Sequence, residues 1–126
     1  MIGYITVGTN DLKKAVEFYD ILFAELGAGR FMEEERFVAW AVAPDQPAFS
    51  VCLPYDGNSA TVGNGTMIAL TVDSTQKVDS LYAKAMELGC ADEGPPGVRM
   101  DGFYAAYFRD LDGNKLNVFC METPTS

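Results

Sequence analysis

Tyrosines, acidic residues and three cysteines are the side chains that could carry acid–base or nucleophilic chemistry, because the sequence has no histidine. Nucleophilic systems that need an imidazole, and zinc or iron sites with histidine ligands, are therefore excluded. A buried Glu or Tyr can still act as a general acid or base when burial shifts its pKa. Cys52, Cys90 and Cys120 form no C-x-x-C pair, so we interpret them as buried thiols rather than as disulfide or zinc ligands.

Several short patterns look like ligand sites but have simpler explanations. Asp110–Asn114 starts like a calcium-binding loop, yet the twelfth residue from Asp110 is Met121, where such a loop needs a bidentate glutamate. We interpret Asp110–Asn114 as a hairpin turn. The residues of Glu33–Glu35 would alternate between the faces of a strand, so they cannot converge on one cation. Three arginines could each meet an anionic ligand, although single arginines are mostly solvated: Arg30, Arg36 and Arg99.

The composition favours a globular protein and excludes several classes of partner. The chain has 126 residues, of which 48% are apolar and 21% charged, as in ordinary folded domains. Its net charge of −9 would repel nucleic-acid phosphates and anionic lipid surfaces. The longest apolar run, Phe37–Ala43, is too short for a transmembrane helix, and the first residues lack a secretory signal pattern. We expect a cytosolic protein that binds neither nucleic acid nor membrane.

The two halves of the sequence repeat one pattern. Alignment of Tyr4–Gly8 with Met67–Thr71 also matches Glu25–Gly27 with Glu87–Gly89 after a slip of one residue. Between these landmarks each half has apolar residues at helical spacing, with capping residues before them and a glycine after them. The predicted helices begin behind Asn10–Asp11 and Asp73–Ser74, end at Gly27 and Gly89, and have apolar faces formed by Leu12, Ala15, Val16, Tyr19, Leu22, Phe23 and Leu26, and by Val78, Leu81, Tyr82, Ala85 and Leu88.

Strand-like segments flank each predicted helix. The last two segments of each half surround turn residues and predict a hairpin. The sequence thus predicts an α+β fold of two tandem βαβββ modules that form a cleft-shaped mixed sheet. The predicted strands are Ile2–Gly8, Ala28–Glu33, Phe37–Ala43 and Ala48–Leu53 in the first half, and Thr66–Val72, Ala91–Val98, Phe103–Arg109 and Lys115–Met121 in the second.

Two modules of this size are too small to hold large cores separately, so we expect a single domain over residues 1–126. Module one covers about residues 1–54, a linker rich in Gly, Asn and Ser covers residues 55–65, and module two covers about residues 66–122. In the first strand Ile5 and Val7 should face the helix, which turns Tyr4 and Thr6 to the opposite side. The sheet faces that the helices leave uncovered would then line a ligand cleft.

Three residues from three different strands are predicted to meet in this cleft. Strand parity and the internal repeat direct Tyr4, Met67 and Asn117 to the faces opposite the helices. We predict that they contact a ligand, because a small-molecule site needs only a few polar groups in an apolar cavity. The alternative is that these side chains merely fill space.

Two aromatic residues complete the predicted ligand-binding set. Tyr104 and Tyr107 alternate along one strand, so only one of them can share a face with Asn117, and we prefer Tyr104. Trp40 is the single tryptophan and could stack on a planar ligand. Packing in the core is the alternative for Trp40, and it is the more frequent fate of a lone aromatic residue.

Three stretches carry a resemblance to a known family. Val7–Leu12 leads into Ala15–Asp20, Gly65–Leu70 opens the second half, and Tyr104–Asn114 ends in an F-x-D-x-D-G-N hairpin. In this order, and with an internal repeat, they resemble the vicinal oxygen chelate superfamily of glyoxalase I, bleomycin-resistance proteins and extradiol dioxygenases. The resemblance covers almost the whole chain and implies the glyoxalase/bleomycin-resistance/dioxygenase fold.

The resemblance also identifies where a metal would bind. Metal-dependent members usually have a histidine in the first strand of each module and a glutamate in the last strand, and these positions match Tyr4, Met67 and Asn117. Ser50–Val51 stands where some relatives have another acidic ligand. A protonated phenol, a soft thioether and a neutral carboxamide form a poor divalent site, so we predict no metal and no other cofactor.

Two functions follow from this resemblance. The first is metal-independent binding of a small aromatic or cationic compound, in the way that bleomycin-resistance proteins sequester a drug. The second is a lyase or isomerase of the lactoylglutathione-lyase type with a rebuilt or metal-free site, for which Tyr4, Tyr104, Cys52 and Cys120 are the reactive side chains near the predicted cleft. A purely structural role is a third hypothesis. The resemblance also implies a homodimer.

Overall fold

A computed structural model of the protein describes residues 1–121. The chain divides into unit 1, Met1–Val62, and unit 2, from Gly63 onward, within the segment predicted as a linker. Each unit is one helix on a four-stranded sheet, which confirms the predicted α+β fold of βαβββ modules. Unit 1 contains β1 (Tyr4–Gly8), α1 (Leu12–Ala24), β2 (Gly29–Glu33), β3 (Phe37–Ala41) and β4 (Ala48–Cys52), and unit 2 contains β5 (Ile68–Thr71), α2 (Thr75–Glu87), β6 (Ala91–Met100), β7 (Phe103–Arg109) and β8 (Lys115–Met121).

The two sheets have the same topology. Their strand orders are β1-β4-β3-β2 and β5-β8-β7-β6. In each unit the first strand pairs in parallel with the last strand, and the last two strands form an antiparallel hairpin. The repeat in the sequence is therefore a repeat of topology, with both predicted hairpins in place.

Capping residues set the ends of both helices as predicted. The Asp11 side chain accepts a hydrogen bond from the Lys14 amide at 3.1 Å, and the Ser74 hydroxyl accepts one from the Lys77 amide at 3.2 Å. The chain leaves each helix through a glycine with positive φ, 71° at Gly27 and 96° at Gly89. Within the described residues, neither helix is long and apolar enough to span a membrane.

The register of β1 against β4 assigns the two faces of the unit 1 sheet. Val7 pairs with Val51 on the side of α1, whereas Thr6 pairs with Ser50 on the opposite side. Side chains toward α1 form the core, which includes an aromatic cluster with ring-centroid distances between 4.8 and 5.7 Å. The cluster consists of Phe18, Tyr19, Phe23, Trp40 and Phe49.

The strand β6 is longer and less regular than predicted. It extends to Met100, and its pairing with β7 shifts register three times. Pro95 and Pro96 lie within it, which the fold tolerates because β6 is an edge strand, where a proline need not donate to a neighbour. Gly94 has a φ of 152°, and the register shifts on either side of it mark a bulge in the predicted strand.

One carboxylate connects α1 to two strands. Asp20 on α1 accepts hydrogen bonds from Arg30 Nε and Nη2 at 3.0 and 2.6 Å, and from Trp40 Nε1 at 2.9 Å. Hydrogen bonding by the Arg30 guanidinium, and secondarily by the Trp40 indole, lowers the pKa of Asp20 against the opposing effect of burial. Asp20 thus satisfies the only polar side-chain atom of Trp40, which is 2% exposed.

The depressed pKa of Asp20 predicts a pH dependence of stability. Because the folded-state pKa lies below the unfolded-state value of about 3.9, Asp20 contributes its full stabilisation above that value and loses it as the pH falls through the folded-state pKa. We expect Asp20→Asn to reduce the loss of unfolding free energy between about pH 5 and 2, measured by urea unfolding.

Two further variants complete this test. Asp20→Ala removes the acceptor of Trp40 Nε1, so it should lower the unfolding free energy at neutral pH by about 1–3 kcal/mol more than Asp20→Asn does. Asp45→Asn, in an exposed turn, is the matched control and should leave the pH profile unchanged. An acid-induced loss of the same size in Asp20→Asn and in the unmodified protein would contradict this account.

Candidate functional site

A pocket of about 480 Å³ opens on the face of the unit 1 sheet opposite α1. Its walls come from alternate residues of β1, β3 and β4, because side chains of one parity all point away from the helix. The lining is mostly apolar, and its side-chain polar groups are those of Tyr4, Thr6, Ser50 and Gln46. The remaining lining residues are Gly3, Phe31, Met32, Phe37, Ala39, Pro44, Ala48 and Cys52.

A β-bulge in β2 gives the pocket two large apolar side chains. The pairing of β2 with β3 shifts between Arg30 and Met32, because Arg30 pairs with Trp40 while Met32 pairs with Ala39. The extra residue, Phe31, and its neighbour Met32 both line the pocket, whereas strict alternation would send one of them to the other face. They are 51% and 46% exposed, so a ligand in the pocket can contact both side chains.

A pair of hydroxyl groups lies on the pocket face. Thr6 Oγ1 and Ser50 Oγ are 2.6 Å apart, and Ser50 Oγ donates to the Ile5 carbonyl oxygen at 2.9 Å. Ser50 is 3% exposed, and Thr6, its partner in the β1–β4 register, is exposed. Thr6 and Ser50 are called the hydroxyl pair below.

The pocket has no built-in site for an anion. None of the residues described along its walls is charged. Arg30 faces α1 and is engaged by Asp20 and Glu33, and Arg36 donates to the Pro54 carbonyl oxygen at 2.8 Å. The arrangement therefore suits a neutral or cationic molecule with an apolar body better than an anion.

The two predicted ligand contacts in unit 1 have different positions. Tyr4 lines the pocket and is 72% exposed, on the face that strand parity predicted. Trp40 is 2% exposed and packs against Tyr19 and Phe23 on the α1 side, so it does not line this pocket. The core-packing alternative for Trp40 agrees with this position, because its register partner Phe49 also faces α1.

In unit 2 the preference for Tyr104 over Tyr107 is wrong. The β7–β8 register pairs Tyr107 with Asn117 and Tyr104 with Cys120, so Tyr107 shares a face with Asn117. The Tyr104 hydroxyl donates at 2.6 Å to Asp79 on α2, which places Tyr104 on the helix side. Hydrogen bonding to Asp79, reinforced by burial, raises the pKa of Tyr104.

The remaining predicted contacts are Asn117, on the sheet face opposite Tyr104, and Met67, next to the first strand of unit 2. Asn117 is 1% exposed, and its Nδ2 donates to the carbonyl oxygens of Ala106 at 3.0 Å and Val118 at 3.3 Å. Met67 directly precedes β5 and is 41% exposed. Two cations lie over the ring of Tyr107, Arg99 at 5.5 Å and Lys115 at 5.7 Å from its centroid.

The cysteines differ in environment. Cys120 is buried, as predicted for all three, but Cys52 and Cys90 are half-buried. Burial raises the pKa of Cys90 to about 12, so its thiol is protonated and unreactive at neutral pH. Only Cys52 lines the pocket.

Comparison with known proteins identifies the family. The model of the Glyoxalase/Bleomycin resistance protein/Dioxygenase superfamily matches residues 1–118. The chain belongs to this superfamily. A search of curated proteins found no match to this chain.

Solved structures of other proteins share the fold. A glyoxalase/bleomycin resistance protein from Albidiferax ferrireducens T118 is 34% identical, with a TM-score of 0.88 over 98% of this chain and 99% of the other. Lactoylglutathione lyase from Agrobacterium tumefaciens is 19% identical, with a TM-score of 0.73 over 95% of this chain and 92% of the other. The fosfomycin resistance protein FosX from Listeria monocytogenes is 21% identical, with a TM-score of 0.72 and the same coverage. The last two likenesses show the fold alone.

The positions that bind metal in metal-dependent superfamily members do not fit a divalent ion here. Tyr4 and Met67 offer a phenol and a thioether, and Asn117 offers a neutral carboxamide whose nitrogen already donates two hydrogen bonds. Ser50 donates its proton to a backbone carbonyl. Among residues 1–121, no group of three His, Cys, Asp or Glu residues could hold a metal ion.

Several pocket residues were not predicted as ligand contacts. Strand parity did place Thr6 on the correct face, and the same rule applied to β3 would have found Phe37 and Ala39. Phe31 and Met32 had no such signal, because a bulge is a property of the pairing between β2 and β3.

Proposed function

We propose that this superfamily member binds a small aromatic or cationic compound in the apolar unit 1 pocket without a metal ion. The observation that carries the proposal is the apolar pocket of about 480 Å³, which has a few polar groups and no charged wall among the residues described. Such a cavity is typical of small-molecule sites. Binding without turnover would make the protein a sequestering protein, a role that the name glyoxalase/bleomycin resistance protein of the 34% identical relative includes beside the enzymatic one.

The chemistry of the walls supports an aromatic or cationic ligand. Tyr4, Phe31 and Phe37 supply rings that can stack on a planar molecule or contact a cation. The net charge of −9 attracts cations and repels anions at long range. An anionic substrate would meet neither an arginine nor a lysine along the described walls.

The setting is part of the proposal. We propose a cytoplasmic location, which the free thiols of Cys52 and Cys90 support. We propose that the chain forms a single domain. We also propose a homodimer, which is supported by exposed apolar side chains on β6 such as Val98 and Met100, which are 69% and 65% exposed. Sedimentation would measure the state of assembly.

A metal-free lyase or isomerase is the second candidate. Tyr4 and Cys52 both line the pocket, so a phenol and a thiol are available for acid–base or nucleophilic steps. This candidate predicts turnover of a substrate such as the adduct of methylglyoxal and a thiol. Complete inactivity, with and without added nickel, zinc or manganese, would remove the glyoxalase version.

Metal content is the direct test of metal independence. We expect elemental analysis of untagged protein purified without chelator to find far less than one equivalent of nickel, zinc, iron or manganese. A naphthalene probe, 2-naphthol, should bind saturably below about 1 mM with the same affinity before and after chelator treatment. Near-stoichiometric metal, together with binding that disappears on chelation and returns with the metal, would contradict the proposal.

A further inference from the structure

We propose that the hydroxyl pair selects ligands by the direction of one hydrogen bond. Thr6 accepts a hydrogen bond from the ligand and neither hydroxyl can donate one, so the group that contacts Thr6 is an N–H or O–H donor on an apolar body. This inference rests on the proposed binding function of the pocket, and it specifies the chemical class of the ligand.

The argument starts from the single proton of Ser50. A hydroxyl group has one donor hydrogen and two acceptor lone pairs. Ser50 Oγ lies 2.9 Å from the Ile5 carbonyl oxygen, and a carbonyl oxygen can only accept. The contacts of Ser50 Oγ with Ile5 and with Thr6 are both hydrogen bonds only when the Ser50 proton goes to Ile5, so Ser50 serves Thr6 as an acceptor.

The proton of Thr6 is then committed as well. Thr6 Oγ1 lies 2.6 Å from Ser50 Oγ, and one of the two oxygens must donate in that contact. Because Ser50 has no second proton, Thr6 donates to Ser50. The result is a directed chain of hydrogen bonds from Thr6 to Ser50 to the Ile5 carbonyl oxygen.

The lone pairs of Thr6 remain available to a ligand. Within residues 1–121, Ser50 is the one hydrogen-bond partner of Thr6 Oγ1, and Thr6 is exposed on the pocket face. Hydroxyl groups in a chain polarise one another, so a hydroxyl that donates becomes a better acceptor. A ligand with an N–H or O–H group gains a hydrogen bond to Thr6 Oγ1. An ether or ketone oxygen gains none, because it would meet the lone pairs of Thr6 Oγ1.

Other polar groups of the pocket do not cancel this preference. Tyr4 and Gln46 can donate hydrogen bonds, but both are exposed and retain water as an alternative partner. An acceptor group can be satisfied near them while the donor group of the same ligand contacts the hydroxyl pair. The selectivity therefore resides in the position of Thr6.

Matched neutral probes test the inference. 2-Naphthol and 2-methoxynaphthalene share a ring system and an oxygen, but only 2-naphthol has a donor hydrogen, and neither is charged at pH 7. We expect 2-naphthol to bind about five- to tenfold more tightly, the size of one net hydrogen bond. Naphthalene measures the contribution of the ring alone. Fluorescence titration or calorimetry gives the three affinities.

Ser50→Ala gives the sharpest prediction. Without Ser50 Oγ, the Thr6 proton is released and can be donated to a ligand, so the affinity ratio of the two probes should fall to about one, with a gain for 2-methoxynaphthalene. Thr6→Val should also bring the affinity ratio to about one, because the affinity for 2-naphthol falls. Thr6→Ser keeps the hydroxyl group and should keep the ratio of the unmodified protein. Ser80→Ala, an exposed serine on α2, is the matched control and should keep the ratio of the unmodified protein.

The outcomes separate this inference from the proposed function. Tight but equal binding of both probes to the unmodified protein would overturn the inference and leave the binding function intact. A ratio that Ser50→Ala does not change would overturn it too. Failure of 2-naphthol, 2-methoxynaphthalene and naphthalene to bind at about 1 mM would overturn the proposed function, and the inference would fall with it.

Discussion

Replacement of Trp40 by alanine is expected to lower the free energy of unfolding by about 3–5 kcal/mol. The indole is 2% exposed and lies 5.6 and 5.7 Å from the ring centroids of Tyr19 and Phe23. Its removal leaves a cavity in the core of unit 1 and takes away the Nε1–H donor that bonds Asp20. Urea unfolding followed by circular dichroism measures the change.

Tyr4→Ala is the matched control for this variant, because it removes an aromatic ring from the opposite face of the same sheet. Tyr4 is 72% exposed, so the unfolding free energy should change by less than about 0.5 kcal/mol. The affinity for 2-naphthol should fall instead, because Tyr4 lines the pocket. A stability loss in Tyr4→Ala as large as that in Trp40→Ala would contradict the assignment of the two faces.

Ala39→Phe should abolish ligand binding while the fold persists. Ala39 is in β3 at the wall of the pocket, and a phenyl ring at this position would occupy space that the ligand needs. We expect the affinity for 2-naphthol to fall about 100-fold or more. The pocket of about 480 Å³ can take up the added ring, so overpacking should cost less than it does in a filled core.

The control for Ala39→Phe makes the same substitution outside the pocket. Ala24 is the last residue of α1 and is exposed, so Ala24→Phe should leave the affinity for 2-naphthol unchanged. Circular dichroism and thermal melting show whether each variant is folded. Undiminished binding by a folded Ala39→Phe variant would show that the ligand does not enter this pocket.

Local signals in the sequence account for most of the fold. Asp11 and Ser74 cap the N-termini of the two helices, as their residue types predict. Gly27 and Gly89 follow the C-termini of the helices and have positive φ. Alternation along β1 correctly turned Tyr4 and Thr6 away from α1, because a two-residue period is a property of any extended strand. These features depend on neighbours in the chain, so the sequence alone determines them.

The error at Tyr104 has a different origin. The predicted turn Asp110–Asn114 makes Arg109 and Lys115 the last pair of the hairpin, and the structure has that pair. Counting two residues away from the turn on each strand puts Tyr107 opposite Asn117. The register was thus readable from the turn, and our preference for Tyr104 did not use it.

Other features of the site depend on contacts that the sequence does not display. The bulge that brings Phe31 and Met32 to the same face arises where β2 is fitted against β3. The commitment of the Ser50 proton depends on the distance from Ser50 to the Ile5 carbonyl oxygen. Such directed hydrogen bonds are set by register and side-chain rotamer, so they become visible only in three dimensions.

An NMR titration of chelator-treated protein with 2-naphthol is the most direct test of the central claim, that the unit 1 pocket binds a small apolar molecule without metal. We predict saturable shifts of the backbone amides of Thr6, Ala39 and Ser50, with one dissociation constant that added zinc or nickel does not change. Shifts confined to residues outside the pocket, or shifts that appear only after metal is added, would contradict the claim.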